Sequence, residues 1–400
     1  MAERRVGLWL IGAFGGVGST TALGLAALAR GLTSETGLVT ALPRFFGVPL
    51  DEPSQFVLGG HDIRQTSFTR SVAELHARSN VFTETVIREC APILDEWAKN
   101  VRPGVIYRPN AVIAALADRP DVRLAATPRA AIQQIQSDLT QFRTANQLDQ
   151  VVVVNAASTE PPFAVGDDQK TLARLNAALD RGSAEALPTS GLYAYAALDA
   201  KMAYVNLTPS LGSTCPALDE LAVARGVPHA GQDLKTGETL LKSALAPLFA
   251  KRNLKVLSWV GHNILGNRDG LVLSDPENKA SKVKSKEGLL ADLLGYRPQS
   301  HVSIEYIESL DDWKTAWDHI HFEGFLGTKM TLQFTWQGCD SILAAPLVID
   351  LVRIALHAQR RGEAGILENV AVFFKSPQGV SEHDFGKQFE MFETYLLSKR

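Results

Sequence analysis

Residues 6–19, VGLWLIGAFGGVGS, constrain the fold more than any other stretch of this chain. An apolar run (6–11) ends in glycines at 12, 15, 16 and 18, and small apolar residues then continue to Arg30. The pattern predicts a buried strand over 6–11, a glycine turn, and a helix over 18–30. Glycines in such a turn let backbone N–H groups approach a pyrophosphate at a helix N-terminus, where the macrodipole favours negative charge. Gly12, Ala13, Phe14, Gly15, Gly16, Val17 and Gly18 are therefore candidate cofactor contacts, with Ser19 and Thr20 as further hydroxyl donors. The strict G-x-G-x-x-G spacing is broken by Phe14. The acidic residue expected about 20 positions on would be Glu35, which ends no clear strand, whereas Asp62 in GGHDI is a second candidate for the ribose. The same N-terminus resembles a secretory signal, with a basic start, an uncharged run and an A-x-A. Six glycines in that run (7, 12, 15, 16, 18 and 24) argue for a strand–turn–helix instead, since each interior glycine costs a helix about 1 kcal/mol.

Helical spacing recurs in 82–101 and 129–147, and the second leads into QVVVVNAAS, read as a central parallel strand. Alternation to about residue 200 predicts an α/β fold, a Rossmann-like doubly wound parallel sheet. Beyond it the pattern changes. AYVNLTP reads as a strand, TGETLLKSALAPLFAKRN as a helix capped by a threonine, and KVLSWVGHNIL as a strand. HVSIEYIES and KMTLQFTW alternate as antiparallel strands with one wet face, and the stretch carrying His319 and His321 reads as helix. DSILAAPLVIDLVRIALHAQRR is a long buried helix followed by a strand, NVAVFF. The expected organisation is a dinucleotide-binding domain at 1–200 completed by 339–400, with an inserted α+β catalytic and oligomerisation domain at 201–338.

A net charge of −3 excludes a protein-wide electrostatic footprint for nucleic acid. Three cysteines without C-x-x-C spacing indicate neither a disulfide framework nor a zinc cage. No segment is read as a membrane span, and a cytoplasmic location is expected. Against this background NKASKVKSKEG is unusual, with Lys279, Lys282, Lys284 and Lys286 close together. A lysine cluster can stabilise an oxyanion or a phosphate without a metal, and crowding lowers a lysine's proton affinity toward the range useful for proton transfer. Lys375 after VFF, Asp269 beside Gly270, and Asp233 two positions after Gly231 add to the same chemistry.

GQDLKTGETLLK, NILGNRDGLVLS, NKASKVKSK, DDWKTAWDH, GCDSILAAPLVIDL and FFKSP resemble, in order, the motifs of the myo-inositol-1-phosphate synthase (inositol-3-phosphate synthase) family. The glycine turn, GGHDI, VVVVNAASTE and YVNLTPS are similar to it more loosely, and the likeness is to the short archaeal and bacterial type. The resemblance implies an NAD-dependent isomerase that turns D-glucose 6-phosphate into 1D-myo-inositol 3-phosphate. The steps it implies are C5 oxidation, enolisation, C6–C1 aldol closure and re-reduction by the same NADH. A related NAD-dependent cyclase or dehydrogenase acting on another sugar phosphate is the alternative. The implied catalytic residues are Lys282 at the C5 oxygen, Lys286 at the phosphate or enolate, and Lys314 and Lys375 at the C1 oxygen and proton relay. Asp233, near Thr236, would orient a lysine, and Asp340 is a further carboxylate. Asn267 and Asp269 would meet the nicotinamide end, and Ala157 and Ser158 lie in a cofactor-binding motif. Lys279 and Lys284 have no counterpart. The resemblance also implies a homotetramer, a small-molecule substrate, and no nucleic-acid or membrane partner. It leaves open a divalent metal ion without named protein ligands.

Overall fold

The computed structural model describes residues 4–267, 270 and 289–398. Strand β1 (Val6–Ile11) runs inside a seven-stranded parallel sheet, followed on one side by β2 (Phe56–Asp62) and β3 (Val101–Pro103). A separate pair, β4 (Val105–Ile106) and β5 (Arg123–Leu124), comes next in the chain. The large sheet then continues on the other side of β1 with β6 (Gln150–Asn155), β7 (Ala203–Asn206) and β8 (Pro228–Ala230). Every residue of β1, β2 and β7 is buried, which a parallel sheet achieves only with helices on both faces. The helices along this part of the chain are α1 (Gly16–Ala29), α2 (Phe68–Ser79), α3 (Glu84–Ala98), the short α4 (Ala111–Ala115), α5 (Pro128–Ala145), α6 (Leu172–Asp180), α7 (Thr189–Asp199) and α8 (Pro216–Arg225). β6 is the central strand, as its valine run predicts. Val152, Val153 and Val154 are all 0% exposed, each worth about 1.5–3 kcal/mol of burial.

Because the sheet order reverses at β1, the ends of β1 and β6 diverge and leave a crevice there. This is the topological switch point at which open α/β sheets bind ligands. Two expectations change. β7 and β8 belong to this large sheet, so a boundary at 200/201 cuts through it; four-residue and three-residue strands carry too little pattern to reveal which sheet they join. The NVAVFF stretch is a 3-10 helix (Glu368–Phe373) rather than a strand.

The second unit is a four-stranded sheet covered on one face by α9 (Glu238–Lys251). Its strands are β9 (Lys255–Leu265), β10 (Gln299–Tyr306), β11 (Trp313–Glu323) and β12 (Lys329–Cys339), ordered β10-β9-β11-β12. Gly237 rather than Thr236 sits at the N-cap of α9, with no side-chain cap bond. The sheet is mixed. β11 and β12 form a tight antiparallel hairpin, whereas β10 runs parallel to β9, as the long intervening chain permits. His319 and His321 lie on β11, not on a helix, and therefore share a face. After β12 the chain enters α10 (Asp340–Arg360), then adds β13 (Gly365–Ile366) to the outer edge of the large sheet beside β8. It ends in α11 (Phe385–Leu397). Contrary to the sequence reading, α10 is long and apolar enough to cross a bilayer, but it packs inside the fold against α1, β6, β7 and β8.

Beneath the second sheet lies a buried charge cluster. Glu238 pairs with Lys242 at 2.5 Å, and Trp259 Nε1 donates to Asp318 Oδ1 at 2.6 Å. Burial and the neighbouring Glu238 carboxylate push the Asp318 carboxyl up to about 7, with Lys242 opposing. A carboxyl whose folded value lies above its unfolded one stabilises the fold below the unfolded value, and that stability is lost as pH rises through the folded value. Asp318→Asn keeps the shape and the indole acceptor without the charge. Its melting temperature should equal the wild type's near pH 4 and exceed it increasingly up to pH 7–8, by about 4 kcal/mol of stability. A constant difference across that range, followed by thermal melts, would refute the assignment.

Candidate active site

The glycine turn closes against the end of β6. Gly12 takes φ +80, and a Cβ there would stand 3.0 Å from the Ala156 carbonyl oxygen. Gly18 is packed on the turn itself, where a Cβ would meet the Ala13 oxygen at 2.4 Å. Gly16 faces Ser341, whose hydroxyl would stand 2.4 Å from an added Cβ. α1 starts at Gly16 with no side-chain cap and no acidic residue in its first turn, so its first amides remain available to an anion. Phe14 takes the place of a glycine without harm. It is 3% exposed, lies edge-on to Phe68, and its backbone is not left-handed. Ser19 and Thr20 are buried on α1, away from the cavity lining.

Asp62 ends β2 beside this turn. Its Oδ2 accepts the Phe14 N–H at 2.6 Å and its Oδ1 the Arg64 N–H at 2.8 Å. Burial pushes the carboxyl up, while those amides hold it down. Asp62 thus clamps the glycine turn as well as lining the cavity beneath it.

That cavity has a volume of about 1040 Å³ and lies between the two sheets. Gly12, Phe14, Gly15, Gly16, Val17, Asp62, Ala157, Ser158 and Asn267 line it, as do Asp233, Lys314, Asp340 and Lys375. Ala13 and Gly18 are buried behind the turn and do not line it. Asp269, Lys282 and Lys286 lie outside the described residues. Among the described residues, no group of three or more His, Cys, Asp or Glu side chains could hold a metal ion.

The charged wall is assembled by strand register. Lys314 pairs with Leu265 on β9 and with Gly338 on β12. The end of β9, the start of β11 and the end of β12 therefore meet at one edge, bringing Asn267, Asp312, Lys314 and Asp340 together. Asp312 is 5% exposed and had not been singled out from sequence. It accepts from Ser341 N at 2.8 Å, Cys339 Sγ at 2.9 Å and Asn267 Nδ2 at 3.3 Å. Burial, then Asp340, raises its carboxyl. The aspartate doublet before Trp313 was the available signal. On the opposite wall Lys375 Nζ donates to Asp233 Oδ1 at 2.8 Å, both side chains being largely buried. Thr236 Oγ1 reaches Asp340 Oδ1 at 3.5 Å. Among the described residues an anion cradle, Lys314, Lys375 and the carboxylates of Asp62, Asp233, Asp312 and Asp340 thus share one cavity.

A doubly wound sheet with a glycine cradle at its switch point, facing a lysine-bearing second sheet, defines a dinucleotide-dependent enzyme for a small polar substrate. The profile of the family described as myo-inositol-1-phosphate synthase, an NAD-binding family, matches residues 6–396. The chain belongs to that family. It is 33% identical to inositol-3-phosphate synthase 1 of Bacteroides thetaiotaomicron, covering 99% of this chain and 95% of the relative. It is 30% identical to inositol-3-phosphate synthase of Dictyostelium discoideum, covering 88% of this chain and 74% of the relative. In fold it is similar to the crystal structure of inositol-3-phosphate synthase from Caenorhabditis elegans (TM-score 0.87, 24% identity, 99% of this chain and 86% of that one).

Proposed function

We propose that this chain is an inositol-3-phosphate synthase that converts D-glucose 6-phosphate to 1D-myo-inositol 3-phosphate with no net redox change. The observation that carries the reading is the meeting, in one cavity, of the glycine cradle with Lys314 and the Lys375–Asp233 pair. A simple alcohol dehydrogenation needs one proton-transfer group. Closing a carbon ring also needs cations for an enolate and for the alkoxide that develops at C1.

NAD+ fits the cradle, because Gly12, Gly16 and Gly18 leave no room for a Cβ and the first amides of α1 are uncapped. When bound, it supplies a hydride acceptor for C5 and the donor that restores C5 after closure. Asp233 fixes the Lys375 ammonium at 2.8 Å, and Lys375 then moves a proton at the sugar while the pair stays held. Lys314 faces the developing C1 alkoxide. Asp340, beside Thr236, orients sugar hydroxyls. Lys282 is assigned the C5 hydroxyl proton, and Lys286 the phosphate or enolate. No ligand set for a metal is proposed.

Copies are proposed to associate as a homotetramer through the open face of the second sheet, where Trp317 is 45% exposed. A cytoplasmic location fits the free, buried Cys90, Cys215 and Cys339.

The test is incubation of the purified chain with glucose 6-phosphate and substoichiometric NAD+, with phosphorus NMR of the products. Inositol phosphate in excess over cofactor, without reduced cofactor building up, is expected. Reduced cofactor accumulating in step with substrate would establish a dehydrogenase instead.

A further inference from the structure

Between Asp233 and Thr236, which both line the cavity, stands a lysine that none of these steps uses. Lys235 is 4% exposed, and its ammonium donates to Gln388 Oε1 of α11 at 2.6 Å. Gln388 is itself 0% exposed and gives its Nε2–H to the Glu382 carbonyl at 2.6 Å, which leaves its oxygen to the lysine. Burial lowers the Lys235 ammonium to about 8, with no carboxylate among the described residues to oppose it. An apolar side chain in this place would avoid the cost of desolvating a charge. A charge kept at such a cost needs a reason beyond stability.

Its surroundings supply one. Asp233 is held at φ +61, a left-handed conformation that an aspartate keeps only when its neighbours over-determine it. Its carbonyl accepts the Lys375 N–H at 2.7 Å, and Lys235 N–H donates to the Phe373 carbonyl at 2.8 Å. The same two residues of this ladder, Asp233 and Lys375, form the ion pair in the cavity. α11 backs the ladder from behind. It is fixed to α9 through Lys251–Asp384 at 2.8 Å, and Phe392 stacks edge-on to Phe373 at 5.2 Å.

We infer that Lys235 is a positioning residue: through Gln388 it makes the C-terminal helix the support that holds Asp233 in register with Lys375. This rests on the cyclase reading. The test uses the full chain with Lys235→Met, Lys235→Arg, and Lys235→Met combined with Gln388→Leu, which removes the stranded amide acceptor together with the charge.

Lys235→Met is expected to retain NAD and, when combined with Gln388→Leu, to melt at or above the wild-type temperature. Its kcat should fall about tenfold or more with KM for glucose 6-phosphate within about threefold, and Lys235→Arg should recover part of the loss. A kcat within about twofold of wild type would overturn the inference. So would a loss that merely tracks unfolded protein and is equal in the Arg variant. If the single Met variant does not fold, the double variant is read by the same criteria. Wild-type protein that makes no inositol phosphate would sink the cyclase reading itself, a separate outcome from an active wild type with an indifferent Lys235→Met.

Discussion

Lys375→Met should lower kcat by about 10³-fold while leaving the cofactor bound, because it removes the cation proposed to move a proton at the sugar without touching the glycine cradle. The methionine matches the lysine in length and cannot hold a proton. The change also strands Asp233, whose carboxylate is 5% exposed and takes its ion pair from Lys375 at 2.8 Å. Breaking a buried pair from one side costs about 3–5 kcal/mol, so the melting temperature should fall as well. Lys375→Met with Asp233→Leu should regain stability but not activity, which separates the two effects. Cofactor content by absorbance, melting temperature and kcat by product formation distinguish the outcomes. A Lys375→Met enzyme within tenfold of wild type would remove this lysine from proton transfer.

Gly18→Ala should be as severe by a different route, with cofactor affinity falling about 100-fold or more. The new Cβ would stand 2.4 Å from the Ala13 oxygen and 2.8 Å from the Gly12 oxygen. Both are backbone atoms of the turn, so relief requires moving the amides proposed to face the pyrophosphate. Gly24→Ala, one and a half turns further along α1, is the matched control. Its Cβ would meet only Ile349 Cδ1 at 3.5 Å, an ordinary contact, and a helix-interior alanine should add about 0.5–1 kcal/mol. Isothermal titration with NAD+ and thermal melts check both. Equal effects at the two positions would mean that the turn is not a cofactor cradle.

The β1–turn–α1 unit and the valine run of β6 were legible because long apolar periodicity and clustered glycines leave few alternatives. The end of β8 was not, since three residues cannot declare their sheet. Phe14 looked like a defect in the loop, and only the pocket beside Phe68 shows why a side chain is tolerated there. The charged wall was legible as motifs but not as a wall. Asp312 joins Asn267, Lys314 and Asp340 through the register of β9, β11 and β12, a tertiary fact at which the aspartate doublet before Trp313 only hints. Asp62 was read as a ribose contact, and the structure adds its hold on the Phe14 amide. Lys235 carries no signal of its role, because an isolated lysine in a loop reads as a solvated charge until its burial is known.

One hydride is proposed to leave C5 and return to the same carbon within a single turnover. Glucose 6-phosphate carrying deuterium at C5 tests it most directly, with the product examined by NMR and mass spectrometry. Inositol phosphate that retains the label at the carbon derived from C5, with no labelled cofactor released, is expected. Loss of the label to solvent, or its recovery in free reduced cofactor, would contradict it.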